Sequence, residues 1–159
     1  MNNLDNKLIL ISFYRFLAIG DKKKIKMLVE SNLKATSIKG TILLADEGIN
    51  GSLAGRKEEI FTLMKFIKKY LKIRKLSLKT NEVDFIPFNR IKVRLKKEIV
   101  SLNVGTIDVG KFTGTYINPS QWNDIISREN IKLIDVRNPY EIKIGTFEDA
   151  INPLTSNFR

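Results

Sequence analysis

Residues 37–55 read Ser-Ile-Lys-Gly-Thr-Ile-Leu-Leu-Ala-Asp-Glu-Gly-Ile-Asn-Gly-Ser-Leu-Ala-Gly, and this stretch decides the fold. Its first part, residues 40–45, is a short apolar and β-branched run that is typical of a buried central strand. Asn50-Gly51 offers the two positive-φ positions that a tight hairpin turn needs. We therefore predict that the chain turns there and that residues 52–54 return antiparallel.

The glycines of this stretch are more numerous than a hairpin turn requires. They occupy positions 40, 48, 51 and 55. They indicate either tight packing in the turn or a backbone surface that is open to an anion or an RNA backbone. We therefore treat Gly48, Asn50 and Gly51 as a possible secondary contact surface.

The segments on either side complete a pattern of alternating strands and helices. Residues 8–16 are mostly apolar and predict a buried strand. Asp21 is placed to cap a helix with a 3.6-residue apolar period, and a second helix is expected over residues 57–71. A further strand is expected over residues 74–83. The order strand, helix, strand, strand, helix, strand predicts a ferredoxin-like α+β domain, with two helices on one face of an antiparallel sheet.

The residue types that are missing limit the chemistry. The 159-residue chain contains no cysteine and no histidine. Their absence excludes disulfides, cysteine nucleophiles, serine-histidine triads and almost every zinc or haem site, so we expect no metal site. The chain also lacks an apolar run of membrane-spanning length and a signal-peptide core, and we expect a cytoplasmic protein without membrane contact.

The positive charge of the chain is unevenly distributed. The net charge is +11, and residues 131–159 hold four basic and four acidic residues, so the whole excess lies in the first 130 residues. Such an excess favours a polyanion partner, whose affinity falls as salt rises. A coding bias toward lysine produces the same composition, and charge counts alone do not separate the two explanations.

The strongest physical signal for function is the run Arg90-Ile91-Lys92-Val93-Arg94-Leu95-Lys96. Residues 84–102 are expected to extend the sheet, and strand alternation places the basic residues of this run on one face. Side chains on one face of a strand lie about 7 Å apart, a spacing that suits successive phosphates of a nucleic acid strand. The alternative is an edge strand that its charge protects from aggregation. We call the predicted RNA-binding residues the cationic ladder: Arg90, Lys92, Arg94, Lys96 and Lys97.

The remaining third of the chain has the pattern of a second, smaller domain. We divide the chain into a basic domain over residues 1–104, a linker over 105–118 and a second part over 119–159. Asn118-Pro119 is expected to open a short helix in which Trp122 is a core residue rather than an RNA-stacking platform. Residues 133–136 are predicted to form a short buried strand of a parallel sheet, with Asp135 and Arg137 at its carboxyl end.

Five segments of the sequence resemble one known family. They are Gly40-Thr-Ile-Leu-Leu-Ala-Asp-Glu-Gly-Ile-Asn-Gly51, Pro87-Phe-Asn-Arg-Ile-Lys-Val-Arg-Leu-Lys-Lys-Glu-Ile-Val100, Gly114-Thr-Tyr116, Trp122-Asn123 and Ile134-Asp-Val-Arg-Asn-Pro-Tyr-Glu141. Together they closely resemble the bacterial tRNA uridine hydroxylases, rhodanese-domain proteins that convert the wobble uridine of certain tRNAs to 5-hydroxyuridine. The resemblance extends from about residue 8 to residue 159.

This resemblance implies both an architecture and a reaction. It implies an acylphosphatase-like N-terminal domain followed by the start of a rhodanese-like α/β domain, in which Asp135 and Arg137 have a structural role at a strand end. The family reaction uses tRNA as substrate and molecular oxygen as co-substrate, and it relies on a cysteine in the rhodanese loop. This chain ends before that loop is reached. We therefore assign no catalytic residue and no cofactor to it, and we expect it to be inactive alone.

Three functions remain open at this point. The first is the N-terminal portion of a tRNA hydroxylase, which becomes active when a separately encoded C-terminal rhodanese fragment completes it. The second is a non-catalytic tRNA-binding or RNA-binding module, or a decayed gene fragment. The third is acylphosphatase activity, for which Arg15 and Asn50 are the nearest phosphate-binding candidates because residues 16–20 contain no arginine. A shared fold alone does not carry that activity.

Overall fold

The computed structural model describes residues 7–99 and 114–155. The chain divides into two compact units, residues 1–100 and residues 101–159, and each is described by itself. The described part of the first unit holds seven elements. They are β1 (Leu8–Phe16), α1 (Lys22–Leu33), β2 (Lys39–Ala45), β3 (Gly48–Arg56), α2 (Lys57–Tyr70), β4 (Ser77–Glu82) and β5 (Ile91–Leu95).

The five strands form one sheet in the order β4-β1-β3-β2-β5. β1 pairs antiparallel with β3 and β4, and β2 pairs antiparallel with β3. β5 lies parallel to β2 and extends the sheet at that edge. The first four strands with their two helices confirm the predicted ferredoxin-like fold, and β5 confirms that the segment after residue 84 extends the sheet.

Both helices pack on one face of the sheet and enclose a single apolar core. The sheet contributes alternate residues such as Ile11, Ile42 and Leu53, which are fully buried, and the helices contribute stripes that include Val29 and Ile67. Because strand side chains alternate, the intervening residues lie on the side that neither α1 nor α2 covers. We call that side the open face. Its strand positions are 8, 10, 12, 14 and 16; 39, 41, 43 and 45; 48, 50, 52, 54 and 56; 77, 79 and 81; 92 and 94.

Local hydrogen bonds and charges explain where the helices begin. The Asp21 carboxylate accepts a hydrogen bond from the Lys24 N–H at 2.9 Å, which confirms the predicted N-cap of α1. α2 carries Glu58 and Glu59 in its first turn and basic residues in its last turn. These charges complement the helix dipole at both ends, so sequence-local interactions favour the observed span of α2.

The hairpin turn between β2 and β3 lies at residues 46–47, and the prediction of a turn at Asn50-Gly51 was wrong. Ala45 pairs with Gly48, so a two-residue connection joins the strands and residues 50 and 51 continue β3. Both strands are held by the sheet over their full lengths. Only in this register do Ile49 and Leu53 both point into the core, because a shift by one residue would turn them to the other face of the sheet.

Packing explains why glycine occupies position 51. A Cβ atom on Gly51 would lie 2.6 Å from Cζ of Phe13 and 2.8 Å from the carbonyl oxygen of Thr41. Positive φ angles occur instead at Gly40 (132°) and Gly48 (151°). Glycine at position 51 therefore lets the Phe13 ring cross β3. A larger residue does not fit there because the ring and the neighbouring strand approach the backbone closely.

The second unit is described over residues 114–155. Asn118 accepts a hydrogen bond from the Ser120 N–H at 3.1 Å and opens a short helical segment, as predicted. Trp122 is half-buried, with its ring centroid 5.5 Å from that of Phe147, which places it in the packing of this unit. The predicted linker lies largely outside the described residues. The elements are a single 3-10 turn (Pro119–Gln121), α3 (Trp122–Ile126) and α4 (Pro139–Ile144).

The prediction that residues 133–136 form a buried strand was wrong about the burial. Ile134 makes a single parallel bridge with Ile151, and the Asp135 N–H donates to the carbonyl of Ile151 at 3.0 Å. The side chains of Ile134 and Val136 are 52% and 58% exposed. A segment with one short neighbour has no second layer to cover it within the described part of this unit, so its apolar residues face solvent.

Candidate nucleic-acid interface

β5 places the cationic ladder at one edge of the sheet. The register with β2 puts Lys92 and Arg94 on the open face. Arg90 and Lys96 flank the strand, and the carbonyl of Arg90 and the N–H of Lys96 continue the main-chain bonding to β2 at 3.1 and 2.8 Å. Lys92 is half-buried, whereas Arg90, Arg94, Lys96 and Lys97 are exposed. Four of the five ladder residues are therefore exposed at this edge of the sheet, and the fifth, Lys92, is half-buried between them.

Every charged side chain that the strands place on the open face is basic. Within the described part of the chain, none of these cations forms an ion pair. Glu82 of β4 lies on the opposite face, where it pairs with Lys7 at 3.0 Å. Among the described residues, the open face therefore carries positive charge that no ion pair offsets, and such a surface attracts a polyanion. Its charged residues are Lys39, Arg56, Lys79, Lys92 and Arg94.

A polar row crosses the middle of the open face. In sheet order its members are Lys79, Ser12, Ser52, Thr41 and Lys92. The hydroxyls of Ser12 and Ser52 are hydrogen-bonded to each other at 3.0 Å. Neighbouring strands lie about 4.8 Å apart, so the two lysines are roughly 19 Å apart with hydroxyls between them. The row can contact more than one phosphate and offers hydroxyls to sugar or base atoms.

A shallow depression adjoins the ladder where the chain enters β5. Its charge comes from Arg90 and Lys92, its amide from Asn89, and no carboxylate is among its lining residues. Guanidinium and ammonium groups beside an amide are suited to binding a phosphate oxygen. The depression is lined by Gly40, Thr41, Pro87, Phe88, Asn89, Arg90 and Lys92.

The structure divides the predicted secondary surface between the two sides of the sheet. Asn50 and Gly48 lie on the open face, opposite Tyr14 and Phe16 of β1. Gly51 lies on the helix-covered face and is buried. Asn50 is half-buried and can therefore share a contact surface with the ladder, whereas Gly48 and Gly51 are both buried and are ruled out as part of that surface.

The sequence analysis identified neither the basic residues that β2, β3 and β4 place on this surface nor its aromatic residues. Lys39, Arg56 and Lys79 lie on three different strands and come together only through strand register. Tyr14 and Phe16 also lie on the open face, and their spacing of two residues on a strand was the one signal that could have found them.

Asp135 and Arg137 form a closed network in the second unit. Nη2 of Arg137 lies 2.6 Å from Oδ2 of Asp135 and donates to the carbonyl of Gly145 at 2.7 Å. The hydroxyl of Thr146 also donates to Asp135 at 2.7 Å. The Arg137 hydrogen bond, followed by that of Thr146, holds the pKa of the Asp135 carboxyl well below its usual range. Both charges serve to hold the chain segments of this unit together.

The groups that the structure brings together are basic, hydroxyl and aromatic side chains. In residues 7–99 and 114–155, no cluster of three or more His, Cys, Asp or Glu residues could hold a metal ion. None of the helices in these ranges is long and apolar enough to span a bilayer.

The arrangement considered for acyl phosphate hydrolysis does not form. Arg15 pairs with Ile49, whereas Asn50 pairs with Tyr14. Because strand side chains alternate, Arg15 and Asn50 lie on opposite faces of the sheet. They therefore do not form a joint phosphate site.

The strand order and the two helices on one face define an acylphosphatase-like domain of the ferredoxin type. The model of the family described as "UPF0176 acylphosphatase like domain" matches residues 8–99, which is more than half of the chain. The chain therefore belongs to the UPF0176 family.

Two solved structures illustrate the range of proteins to which this chain is similar. The BLUF protein BlrB in its dark state has 15% identity and a TM-score of 0.45, over 57% of this chain and 75% of that chain. An acylphosphatase from Coxiella burnetii has 11% identity and a TM-score of 0.38, over 57% of this chain and 94% of that chain. At these identities neither likeness carries an activity to this protein.

Proposed function

We propose that this chain is the N-terminal portion of an oxygen-dependent tRNA hydroxylase that forms 5-hydroxyuridine at the wobble position, and that its first unit holds the tRNA. The observation that carries this proposal is that every charged side chain on the strands of the open face, beside the cationic ladder, is basic. The resemblance to the tRNA uridine hydroxylases supplies the substrate and the reaction, and UPF0176 membership agrees with it.

The physical basis of binding is neutralisation of phosphates by lysine and arginine. Each phosphate that a cation neutralises releases condensed counterions, so affinity falls steeply as salt is added. The cations of the open face form no ion pair with any described residue, so they can make these contacts. The hydroxyls of Ser12 and Ser52 and the amide of Asn50 supply polar contacts between them.

The hydroxylation requires a catalytic cysteine from another polypeptide. The family reaction relies on a cysteine, and the 159 residues contain none. A separately encoded C-terminal rhodanese fragment would supply the thiol, with molecular oxygen as co-substrate. The exposed apolar residues around Ile134 and Ile151 give such a fragment a sheet edge to extend.

The binding part of the proposal is tested by replacing Arg90, Lys92, Arg94 and Lys96 with glutamine. We expect tRNA affinity at low salt to fall at least about tenfold, and the slope of log affinity against log salt to decrease by roughly 3, because each lost phosphate contact removes about 0.7 to 0.9 from the slope. Fluorescence anisotropy with labelled tRNA at several salt concentrations measures both quantities.

A variant of equal charge change provides the matched control. Lys23, Lys24, Lys65 and Lys69 are exposed on α1 and α2, away from the open face. Their replacement by glutamine should leave the affinity much closer to that of the unmodified chain. Equal losses in the two variants, or unchanged binding by the ladder variant, would contradict the assignment of this surface.

The catalytic part is tested by adding a polypeptide that carries the rhodanese cysteine loop. We expect 5-hydroxyuridine, detected by mass spectrometry of digested tRNA, from the mixture under oxygen and not from either polypeptide alone. Product from the purified 159-residue chain alone, or no product from the mixture, would count against this function.

The second candidate is a non-catalytic RNA-binding module, which the basic open face and the absence of cysteine also favour. The two functions share the binding experiment and differ in the catalytic one. Salt-dependent tRNA binding without product in the complemented reaction would favour the module.

A further inference from the structure

Two aromatic rings stand together on the open face. Tyr14 and Phe16 are two residues apart on β1 and lie on the same side of the sheet as Lys92 and Arg94. They are 42% and 37% exposed. Their ring centroids are 6.3 Å apart with planes inclined at 70°. The ring pair is therefore the accessible aromatic part of a face that also carries cations, hydroxyls and the half-buried side chains of Leu10 and Leu43.

The two rings do not protect a sheet edge, because β1 is not an edge strand. β1 lies between β4 and β3, and both neighbours pair with its backbone as far as Tyr14, whereas Phe16 pairs with β3 alone. Tyr14 is flanked by Asn50 and Ser77, which are polar and smaller than the ring. Partly exposed aromatic rings on an internal strand, with an amide and a hydroxyl beside Tyr14 and the cations farther across the same face, present flat surfaces to whatever occupies the open face.

The chemistry of this combination selects one kind of nucleic acid. Aromatic side chains stack on bases, and cations beside them bind the phosphates of the same strand. Bases in a duplex are already stacked on each other and do not expose their faces to a protein surface. Arg94 lies three strands from Tyr14, roughly 14 Å across the sheet, so a base on the ring and a phosphate on the guanidinium would belong to different nucleotides.

We propose that Tyr14 and Phe16 form a stacking platform for unpaired bases, so that the RNA on the open face is single-stranded there. This inference rests on the proposed function, because it assumes that the open face binds RNA. It adds the chemical class of the contact: bases stack on β1 while the cations of β4 and β5 hold the flanking phosphates.

The test uses the full chain with a fluorescein-labelled oligouridine and with an RNA duplex of equal length. Tyr14→Leu and Phe16→Leu should each weaken oligouridine binding at least about fivefold, because base stacking on an aromatic ring is lost. The slope of log affinity against log salt should stay unchanged, since neither substitution alters charge. Tyr14→Phe should keep the affinity of the unmodified chain, because it retains the ring.

Phe61→Leu is the matched control, because Phe61 is an exposed aromatic residue of α2 on the other side of the sheet. It should leave oligouridine binding unchanged, and circular dichroism should show that all variants are folded. Unchanged oligouridine affinity in both leucine variants, or equal affinity for the duplex, overturns the stacking platform. If the leucine variants bind normally but the ladder variant does not, only the platform is wrong. If the unmodified chain binds no RNA at low salt, the proposed function itself fails.

Discussion

At the scale of single residues, the space around each glycine decides what a larger side chain would cost. Gly51 lies in the middle of β3, where the Phe13 ring leaves no room for a Cβ atom. Gly20 lies in the connection before α1, and a Cβ atom there meets nothing within 4 Å. Adding one methyl group therefore has opposite consequences at the two positions.

We expect Gly51→Ala to destabilise the first unit by about 1 to 3 kcal/mol, because Phe13 and the main chain of β2 must shift to admit the methyl group. Gly20→Ala is the matched control and should change stability by less than about 1 kcal/mol, toward stabilisation, since it reduces the entropy of the unfolded chain. Urea unfolding followed by circular dichroism measures both. Equal stabilities for the two variants would show that the Phe13 crossing is not tight.

At the scale of elements, helices are specified by local interactions and strands by their neighbours. The start of α1 depends on one carboxylate three residues from the N–H that it caps. The position of the β2–β3 turn depends on the register of two strands, in which Ala45 pairs with Gly48. Periodicity and capping therefore predicted the helices, whereas the Asn-Gly pair misled the turn prediction because the sheet required residues 50 and 51 to remain extended.

We expect Asp21→Ala to destabilise the first unit by about 1 kcal/mol, because the Lys24 N–H loses its hydrogen-bond acceptor and the helix dipole loses a favourable charge. Asp84→Ala removes an exposed carboxylate in the connection between β4 and β5 and serves as the control for charge. Thermal unfolding of both variants should show a lower midpoint for Asp21→Ala alone. An equally lowered midpoint in both variants would show that the effect comes from the change in net charge.

At the scale of the whole molecule, the two units differ in how much of their apolar surface is buried. The first unit has a continuous core built from β1, β2, β3, β5 and both helices. In the described part of the second unit, no hydrophobic residue reaches the burial of that core, and Val136 and Ile144 are largely exposed. Since burial of apolar surface is the main stabilising term, the second unit should open more readily than the first.

We expect native-state hydrogen exchange of the full chain to distinguish the units. The amides of β1 and β3 should exchange only through global opening, whereas those of Asp135 and Ile151 should exchange on the order of a hundredfold faster or more. Mass spectrometry after proteolysis, or NMR, resolves the two regions. Equal protection would mean that the bridge between residues 134 and 151 is stabilised as strongly as the central sheet.

The helices, the order of the elements and the basic character of the first unit could all be predicted from the sequence, because they depend on local periodicity, capping and composition. The sequence also predicted which face of residues 90–96 carries charge, because strand alternation is a local property. The tertiary structure alone decided that Gly51 belongs to the core, and that Lys79, Tyr14 and Phe16 share a face with the ladder. Register brings residues from distant parts of the chain side by side, and no local pattern encodes that register.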